Sequence, residues 1–248
     1  MRHLPSRYTT FVILTALLFS HVSSAGTFRV MLHTGSFPPY FFEENDLRTG
    51  TIKDVFSAIA LETGDSFEYI RVPFKRALHQ FEIGEIDIEP MTNPVYRGES
   101  SVLGVYSIPY TGAEEIILFN KNHHVQVSSP EDLLGKTIGV VNGYYYPKYD
   151  AYFKDGRIKP SPVKNENLLI KLLLANRYSQ VLINKDFAQY KMKEQDLKEQ
   201  LTVGQTYHAL DMMIRFHPSK QDELPRFNKA IQKLKTEGVI ENIYNNYR

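Results

Sequence analysis

The sequence contains no cysteine and no tryptophan, and its charges nearly cancel, with 29 Lys and Arg against 28 Asp and Glu. Without cysteine there is no disulfide scaffold, no thiol nucleophile and no Cys-ligated zinc or iron–sulfur centre. Without a basic excess there is no footprint for nucleic acid, and no nucleic-acid partner is expected. Gly-x-Ser-x-Gly, His-Glu-x-x-His and a glycine-rich phosphate loop are all missing, which removes the commonest hydrolase, zinc-protease and nucleotide signatures. After residue 19 no apolar run approaches the roughly 20 residues that span a bilayer. What is present is aromatic: 16 Tyr and 15 Phe in 248 residues, within a composition that is 42% hydrophobic and 23% charged. That is an ordinary globular balance, on a chain long enough to bury a sizeable core.

The first 25 residues read as an address. Arg2 and Arg7 stand in a stretch without acids, Phe11 to Phe19 is almost wholly apolar, and Ser23-Ser24-Ala25 supplies small residues for a cut after Ala25. These are the three regions of a cleavable secretory signal peptide. With no cysteine at the cut, a lipoprotein is excluded and a soluble periplasmic protein is expected, held by its core alone. Loss of Arg2 and Arg7 takes the net charge from +1 to −1.

Beyond it the chain alternates. Phe28 to Leu32 reads as a strand. Ile52, Val55, Phe56, Ile59 and Ala60 recur at helical spacing before Gly64. Phe67 to Val72 is a strand, Phe74 to Ile83 a helix ending at Gly84, and Asp87-Ile88 resumes a strand. This βαβα rhythm predicts a parallel sheet flanked by helices. It breaks at Glu114 to Phe119, a strand with no helix before it. Ser129-Pro130-Glu131-Asp132 then reads as a helix start, followed by a strand over Lys136 to Val141, a helix over Asn167 to Asn176, a strand over Gln180 to Ile183 and a helix over Phe187 to Gln200. A second lone strand, Leu210 to Phe216, precedes closing helices at Glu223 to Lys235 and Val239 to Tyr247. One α/β unit is thus interrupted by another, with two crossings between two lobes and a cleft between them. Such clefts are preferred ligand sites.

Certain local pieces carry a resemblance. They are Phe37-Pro38-Pro39-Tyr40, Gly50 to Asp54, Pro73-Phe74-Lys75-Arg76-Ala77-Leu78, Gly84-Glu85-Ile86-Asp87, and Thr92 with Arg97 five residues on. Pro109-Tyr110, Asp132 to Val140 before Gly143, and Glu237-Gly238-Val239-Ile240 complete the series. In this order and spacing the chain resembles the family 3 extracellular solute-binding proteins, the periplasmic receptors of polar amino-acid ABC importers. The resemblance implies an α/β, two-lobed periplasmic binding protein-like fold of type II, with two parallel-rich sheets, flanking helices and two crossover strands. It implies lobe 1 over 26–114 and 212–248, lobe 2 over 115–211, and hinge crossings near 114–119 and 208–213. It also implies that Arg97 and Thr92 grip a ligand carboxylate, and a guanidinium fork suits a carboxylate with two parallel hydrogen bonds. Phe37, Tyr40 and Phe74 would flank the ligand's body, and Gly143, Tyr144, Tyr145 and Asn184 would close on it from lobe 2.

Two departures stand out. Where the family's amino-acid binders place an Asp for the ligand ammonium, this chain has Asn184, which brings no charge; Asp186 is a candidate substitute. After Gly143 the family's small hydroxyl residue is replaced by Tyr144-Tyr145-Tyr146. Ten aromatics fall in two stretches, 37–42 and 144–153, expected to face each other across the cleft. The expected function is capture of a small carboxylate-bearing polar solute for a membrane ABC permease, by a monomer that meets its partner transiently. A sensory receptor for a membrane signalling partner is the alternative, and a dehydratase-like enzyme a further one, with His33, Glu43, Glu89 and His208 as acid–base candidates by position. No catalytic residue, metal or cofactor is expected. His79 to Glu82 and His123-His124 are only two-residue metal signals, read as an exposed helix face and a loop.

Overall fold

The computed structural model describes residues 25–247, so the signal-peptide reading falls outside the described residues except for Ala25. Two sheets share one long strand. In the first, β1 (Thr27–His33) pairs in parallel with β2 (Ser66–Val72) and β3 (Ile88–Thr92). In the second, β6 (Thr137–Val141) pairs in parallel with β7 (Lys159–Val163) and β8 (Gln180–Asn184). The crossings are antiparallel. β5 (Thr111–Asn120) pairs with β8 and with β9 (Leu201–Phe216), while the far end of β9 pairs with β3 and with the short β4 (Val105–Tyr106). The strand order is β2-β1-β3-β9-β5-β8-β6-β7. This is the expected two-lobed type II architecture, with β5 and β9 as the crossover strands.

Period-2 and period-3.6 patterning explain the layers. Along β5, Ile116 and Leu118 face one layer, with Leu169, Leu173 and Phe187 from α4 (Glu166–Leu174) and α5 (Lys185–Glu194). Ile117 and Phe119 face the other, with Leu133, Ile138, Tyr146 and Tyr149. In the first lobe, Val30 and Leu32 pack under Ile52, Val55, Phe56 and Ile59 of α1 (Thr51–Thr63), joined by Phe227 and Ile231 of α6 (Leu224–Thr236) and Tyr244 of α7 (Val239–Asn245). Met31 points the opposite way, to Ala77 and Phe81 of α2 (Phe74–Glu82). Each of the fully buried Val, Leu, Ile, Phe and Met side chains contributes about 1.5–3 kcal/mol of transfer free energy.

Several expected elements change. Ser129 does form a capping box with Asp132, but it opens only a four-residue 3-10 turn, Pro130–Leu133, and no α-helix. α5 stops at Glu194, because Asp196 takes a left-handed φ of 51° and turns the chain toward β9. The second crossover begins at Leu201, nine residues before the expected start. α3 (Asp150–Lys154) and β7 were not expected. β7 reads as Lys-Pro-Ser-Pro-Val, and it is an edge strand. Lys159 N–H donates to the Lys136 carbonyl, so Pro160 and Pro162 turn their missing N–H groups away from β6.

Candidate functional site

The carboxyl ends of β1, β3, β6 and β8 converge on one cavity between the lobes, of about 940 Å³ counting its open mouth. Ligands of open α/β sheets bind at such ends. His33 ends β1, Thr92 ends β3, Asn184 ends β8, and Tyr144 to Pro147 come after β6. The walls are mostly apolar and aromatic, so each polar group facing the cavity must be accounted for.

One end is cationic. Glu89 lies directly across the ladder from Arg215 and is buried. It accepts from Arg215 Nη1 at 3.0 Å and from Arg97 Nε at 3.0 and 3.1 Å, with a further contact from Arg97 Nη2. Burial alone would raise the Glu89 pKa; the charges of Arg97 and Arg215 outweigh it and leave the carboxyl below its ordinary value. Two guanidiniums around one carboxylate leave a net positive charge. Arg97 also donates from Nη1 to the Tyr96 carbonyl at 2.8 Å and stacks 5.3 Å above the Phe74 ring. Three of the five guanidinium N–H donors are therefore in use, and two are free for a ligand. Arg97 sits in a 3-10 turn, Pro94–Arg97, whose cap is Asn93: its side chain accepts from Val95 N–H at 2.9 Å and donates to the Asp211 carbonyl at 2.8 Å. That anchor to β9 fixes Arg97 relative to the crossing. Thr92 Oγ1, next to it on the wall, is buried with no hydrogen-bond partner.

The other end is acidic. Glu115 of β5 lines the cavity and is met only by Asn184 Nδ2, at 3.5 Å. Burial pushes its pKa up to about 8, the Asn184 contact opposing this and nearby Glu166 adding to it. A register shift in the β5–β9 ladder, Glu115 against His208 but Ile116 against Thr206, leaves Tyr207 as an extra residue. Bulges re-aim side chains, and here consecutive residues, Tyr207 and His208, both line the cavity. Tyr207 Oη and His208 Nε2 are buried without partners. His33 is desolvated and beside Arg97, though Glu89 opposes this, and its pKa falls to about 4, so it is a neutral imidazole at pH 7.

A seam of contacts holds the lobes together over the cavity. Phe37 stacks on Phe187 with centroids 5.1 Å apart, Phe74 meets Tyr144 edge-on at 5.2 Å, and Tyr144 Oη lies 3.4 Å from His33 Nδ1. Tyr40 Oη shares its one proton between Asp186 Oδ2 at 2.9 Å and Asn184 Oδ1 at 3.2 Å. Arg48 reaches Tyr190 and, at 3.5 Å, Glu194.

The family of bacterial extracellular solute-binding proteins, family 3, matches residues 30–248. The chain belongs to this family. Membership makes it a solute-binding protein of periplasmic or extracellular location. No curated protein sequence matches it closely enough to count as a relative. Among solved structures it is similar to an ancestral arginine-binding protein bound to arginine, at 25% identity and a TM-score of 0.76, over 90% of this chain and 98% of that one. It also resembles the substrate-binding protein of an ABC uptake transporter from Streptococcus pneumoniae with bound histidine, at 15% identity and TM-score 0.75, over 89% and 92% of the chains. A third neighbour is an ancestral amino acid-binding protein that is a precursor of cyclohexadienyl dehydratase, at 20% identity and TM-score 0.72, over 90% and 95%. Family and neighbours are binding proteins, one of them on a path to an enzyme.

In this family member the cavity brings together Arg97, Thr92, Phe37, Phe74, Tyr144, Tyr145 and Asn184. Tyr40 and Gly143 are not on its wall. Tyr40 is fully buried in the seam. Gly143 has φ +88°, and a Cβ there would stand 2.9 Å from Lys75 Cε, so its place is one of close approach between lobes. Asp186 does not substitute for a missing acid in the cavity: its carboxylate is turned to Tyr40 and to a separate surface recess with Tyr190, Tyr244 and Tyr247. The aromatic stretches meet only in part, Phe37 and Phe41 with Tyr144, Tyr145 and Tyr146, since Tyr149 and Phe153 pack inside the second lobe. Glu43 is off the wall, while His33, Glu89 and His208 are on it. Glu115, Tyr96 and Tyr207 were missed. Glu115 carries no local signal that separates it from Glu114 except strand parity. Among the described residues no group of three or more His, Cys, Asp or Glu could hold a metal ion, and no helix is long and apolar enough to cross a membrane.

Proposed function

We propose that the protein captures a small carboxylate-bearing polar solute of amino-acid type in this cavity and presents it to a membrane ABC importer. The observation that carries the acid is the cationic end. Arg97 has two free donors beside the unpartnered Thr92 hydroxyl, in a cluster that carries one net positive charge. An acid there gains charge-assisted hydrogen bonds of about 1.5–3 kcal/mol each. The arginine, histidine and amino-acid ligands of the structural neighbours support the same class. Lobe 1 comprises 26–114 and 212–248, lobe 2 comprises 115–211, and the chain crosses near 114–119 and 208–213. Contacts that the solute makes with both lobes exist only when they are closed, so the solute shifts the protein toward the closed shape its partner recognises. The protein works as an exported monomer, delivered by the segment that ends at Ala25.

A thermal-shift screen of amino acids and related acids tests this, since a ligand of the native state raises the melting temperature. Arg97→Ala should abolish the rise for every acid that binds; an unchanged rise removes Arg97 from the site. A second reading, conversion of the bound acid, has one observation behind it: Glu115 keeps its proton near neutral pH and faces the cavity, as a general acid would. Product analysis after incubation with each binder decides between them, and recovery of unaltered solute supports the receptor.

A further inference from the structure

The cavity is electrically lopsided. Its Arg97–Glu89–Arg215 end is positive. Its far end holds Glu115, and Glu115 is in an unusual position for a carboxyl. Its neighbour Glu114, on the opposite face of β5, is satisfied by Lys185 Nζ at 2.9 Å and Thr206 Oγ1 at 2.7 Å. Glu115 has no ion pair among the described residues and only the long contact from Asn184. The titratable groups facing it are no counter-charge. His208, its cross-strand partner on β9, is desolvated, with Nε2 unpartnered. Glu166 of α4, buried beside Tyr144, carries an Oε1 without a partner and adds repulsion. Arg97 pairs its charge with Glu89 and not with Glu115.

What does surround Glu115 is aromatic. Tyr96, Tyr144, Tyr146 and Tyr207 all feel its charge and all line the same cavity. They come from three places in the fold: the turn after β3, the loop after β6 and the bulge of β9. A carboxyl among four tyrosines on one cavity wall suits a cation in two ways. The rings' quadrupoles attract a cation, and the carboxylate pairs with it. A lone carboxylate in such a wall is costly, so it stays protonated until a cation arrives.

We propose that Glu115, with Tyr96, Tyr144, Tyr146 and Tyr207, forms a subsite for an organic cation, so that the solute carries an ammonium or guanidinium group as well as its acid. The subsite lies on the crossover strand β5, and the end of β8, where the resemblance places the family's Asp, contributes only the Asn184 amide. The solute is dipolar, acid toward Arg97 and cation toward Glu115. Its binding ionises Glu115, and the displaced proton goes to solvent. The inference rests on the cavity being the solute site.

The test is isothermal titration calorimetry of the wild type, Glu115→Gln and Arg97→Ala. The probes are the twenty common L-amino acids, then the analogues of each binder that lack the cationic group or lack the carboxylate. Glu115→Gln is nearly isosteric, and its melting curve confirms that it is folded. Expected results are a loss of ten-fold or more in affinity for cation-bearing probes in Glu115→Gln, with cation-free acids unaffected. In the wild type, up to one proton should be released per ligand at pH 7, read from the dependence of the heat on the buffer; Glu115→Gln should release none. Affinity within two-fold of wild type for cation-bearing probes in Glu115→Gln overturns the subsite, and so does a wild type that prefers cation-free acids. Either result leaves the acid grip of Arg97 standing if Arg97→Ala still abolishes binding. Amines without a carboxylate that bind, and are lost in Glu115→Gln, support the subsite and overturn the acid reading. A panel with no binder overturns both.

Discussion

Tyr40→Phe removes one hydroxyl from the seam between the lobes, and the geometry sets its effect. The hydroxyl is buried, and its pKa is held well above the ordinary tyrosine value by burial and by the charge of Asp186. It therefore stays a donor at any physiological pH. Its one proton is shared between the Asp186 carboxylate at 2.9 Å and the Asn184 amide oxygen at 3.2 Å, both on the opposite side of the cavity. A hydrogen bond to a charged acceptor is worth about 1.5–3 kcal/mol, and the partial exposure of Asp186 argues for the lower end. Asn184 keeps its own role, since its side chain also accepts from Phe187 N–H at 3.1 Å to start α5. The ring of Tyr40 keeps its stacking on Phe37 at 5.1 Å, so the phenylalanine refills the space. The lost bond exists only while the lobes touch. The variant should then close about ten-fold less readily, with solute affinity about ten-fold weaker, at about 1.4 kcal/mol per decade. Small-angle scattering should show a larger radius of gyration for the ligand-free variant than for the wild type, and calorimetry should show the weaker binding. A variant with unchanged scattering and unchanged affinity would refute the latch; a fall in melting temperature of the isolated fold without either change would assign Tyr40 to stability alone.

The pH dependence of stability should have a characteristic shape. Glu115 is raised from 4.5 to about 8 in the folded protein, so it contributes stability below pH 4.5 that is lost as pH climbs toward 8; His33 is depressed from 6.5 to about 4, so its contribution is present above pH 6.5 and lost as pH falls toward 4. Each acts with a slope of up to about 1.4 kcal/mol per pH unit, less where water enters the cleft. The two oppose each other between these limits, and chemical denaturation should find a plateau there and a decline between about pH 6.5 and 8 that Glu115→Gln flattens; an alkaline decline that persists in the variant contradicts the assignment. Gly104→Ala should be among the costliest single methyl additions. Gly104 has φ +77°, and a Cβ would lie 2.8 Å from the Phe216 carbonyl oxygen and 2.9 Å from the Arg215 side chain. Left-handed strain and overpacking together cost about 2–4 kcal/mol, a drop of roughly 5–10 °C in melting temperature; a drop under about 2 °C would mean that the β4 turn gives way easily.

The parallel units were legible because their signals are local. Ile52, Val55, Phe56 and Ile59 repeat at 3.6, and the hydrophobic run of β8 is short and bounded, so tertiary context had little to override. Elements that depend on their neighbours were less legible. β7 carries two prolines and is a strand only because β6 offers it one edge. The first half of β9, Thr202 to His208, is polar and glycine-containing and is drawn into the sheet by β5. The site divides in the same way. Thr92 and Arg97 stand on either side of one turn, so their spacing shows in the sequence. The Glu89–Arg215 ladder pair joins positions 126 residues apart, and no spacing rule reaches that far. Glu115 was hidden by the simplest ambiguity of a strand: which of two consecutive glutamates faces in. Bulge and register decide that, and both are set by β9.

The central claim is that a dipolar solute lies in the interlobe cavity with its acid on Arg97 and Thr92. Diffraction from crystals grown with the tightest-binding amino acid of the screen measures it directly. The account predicts a carboxylate within about 3 Å of the free Arg97 donors and of Thr92 Oγ1, and the cationic group against Glu115 and its tyrosines. A solute seated in the recess of Asp186, Tyr190, Tyr244 and Tyr247, or one in the cavity with its acid turned away from Arg97, would contradict it.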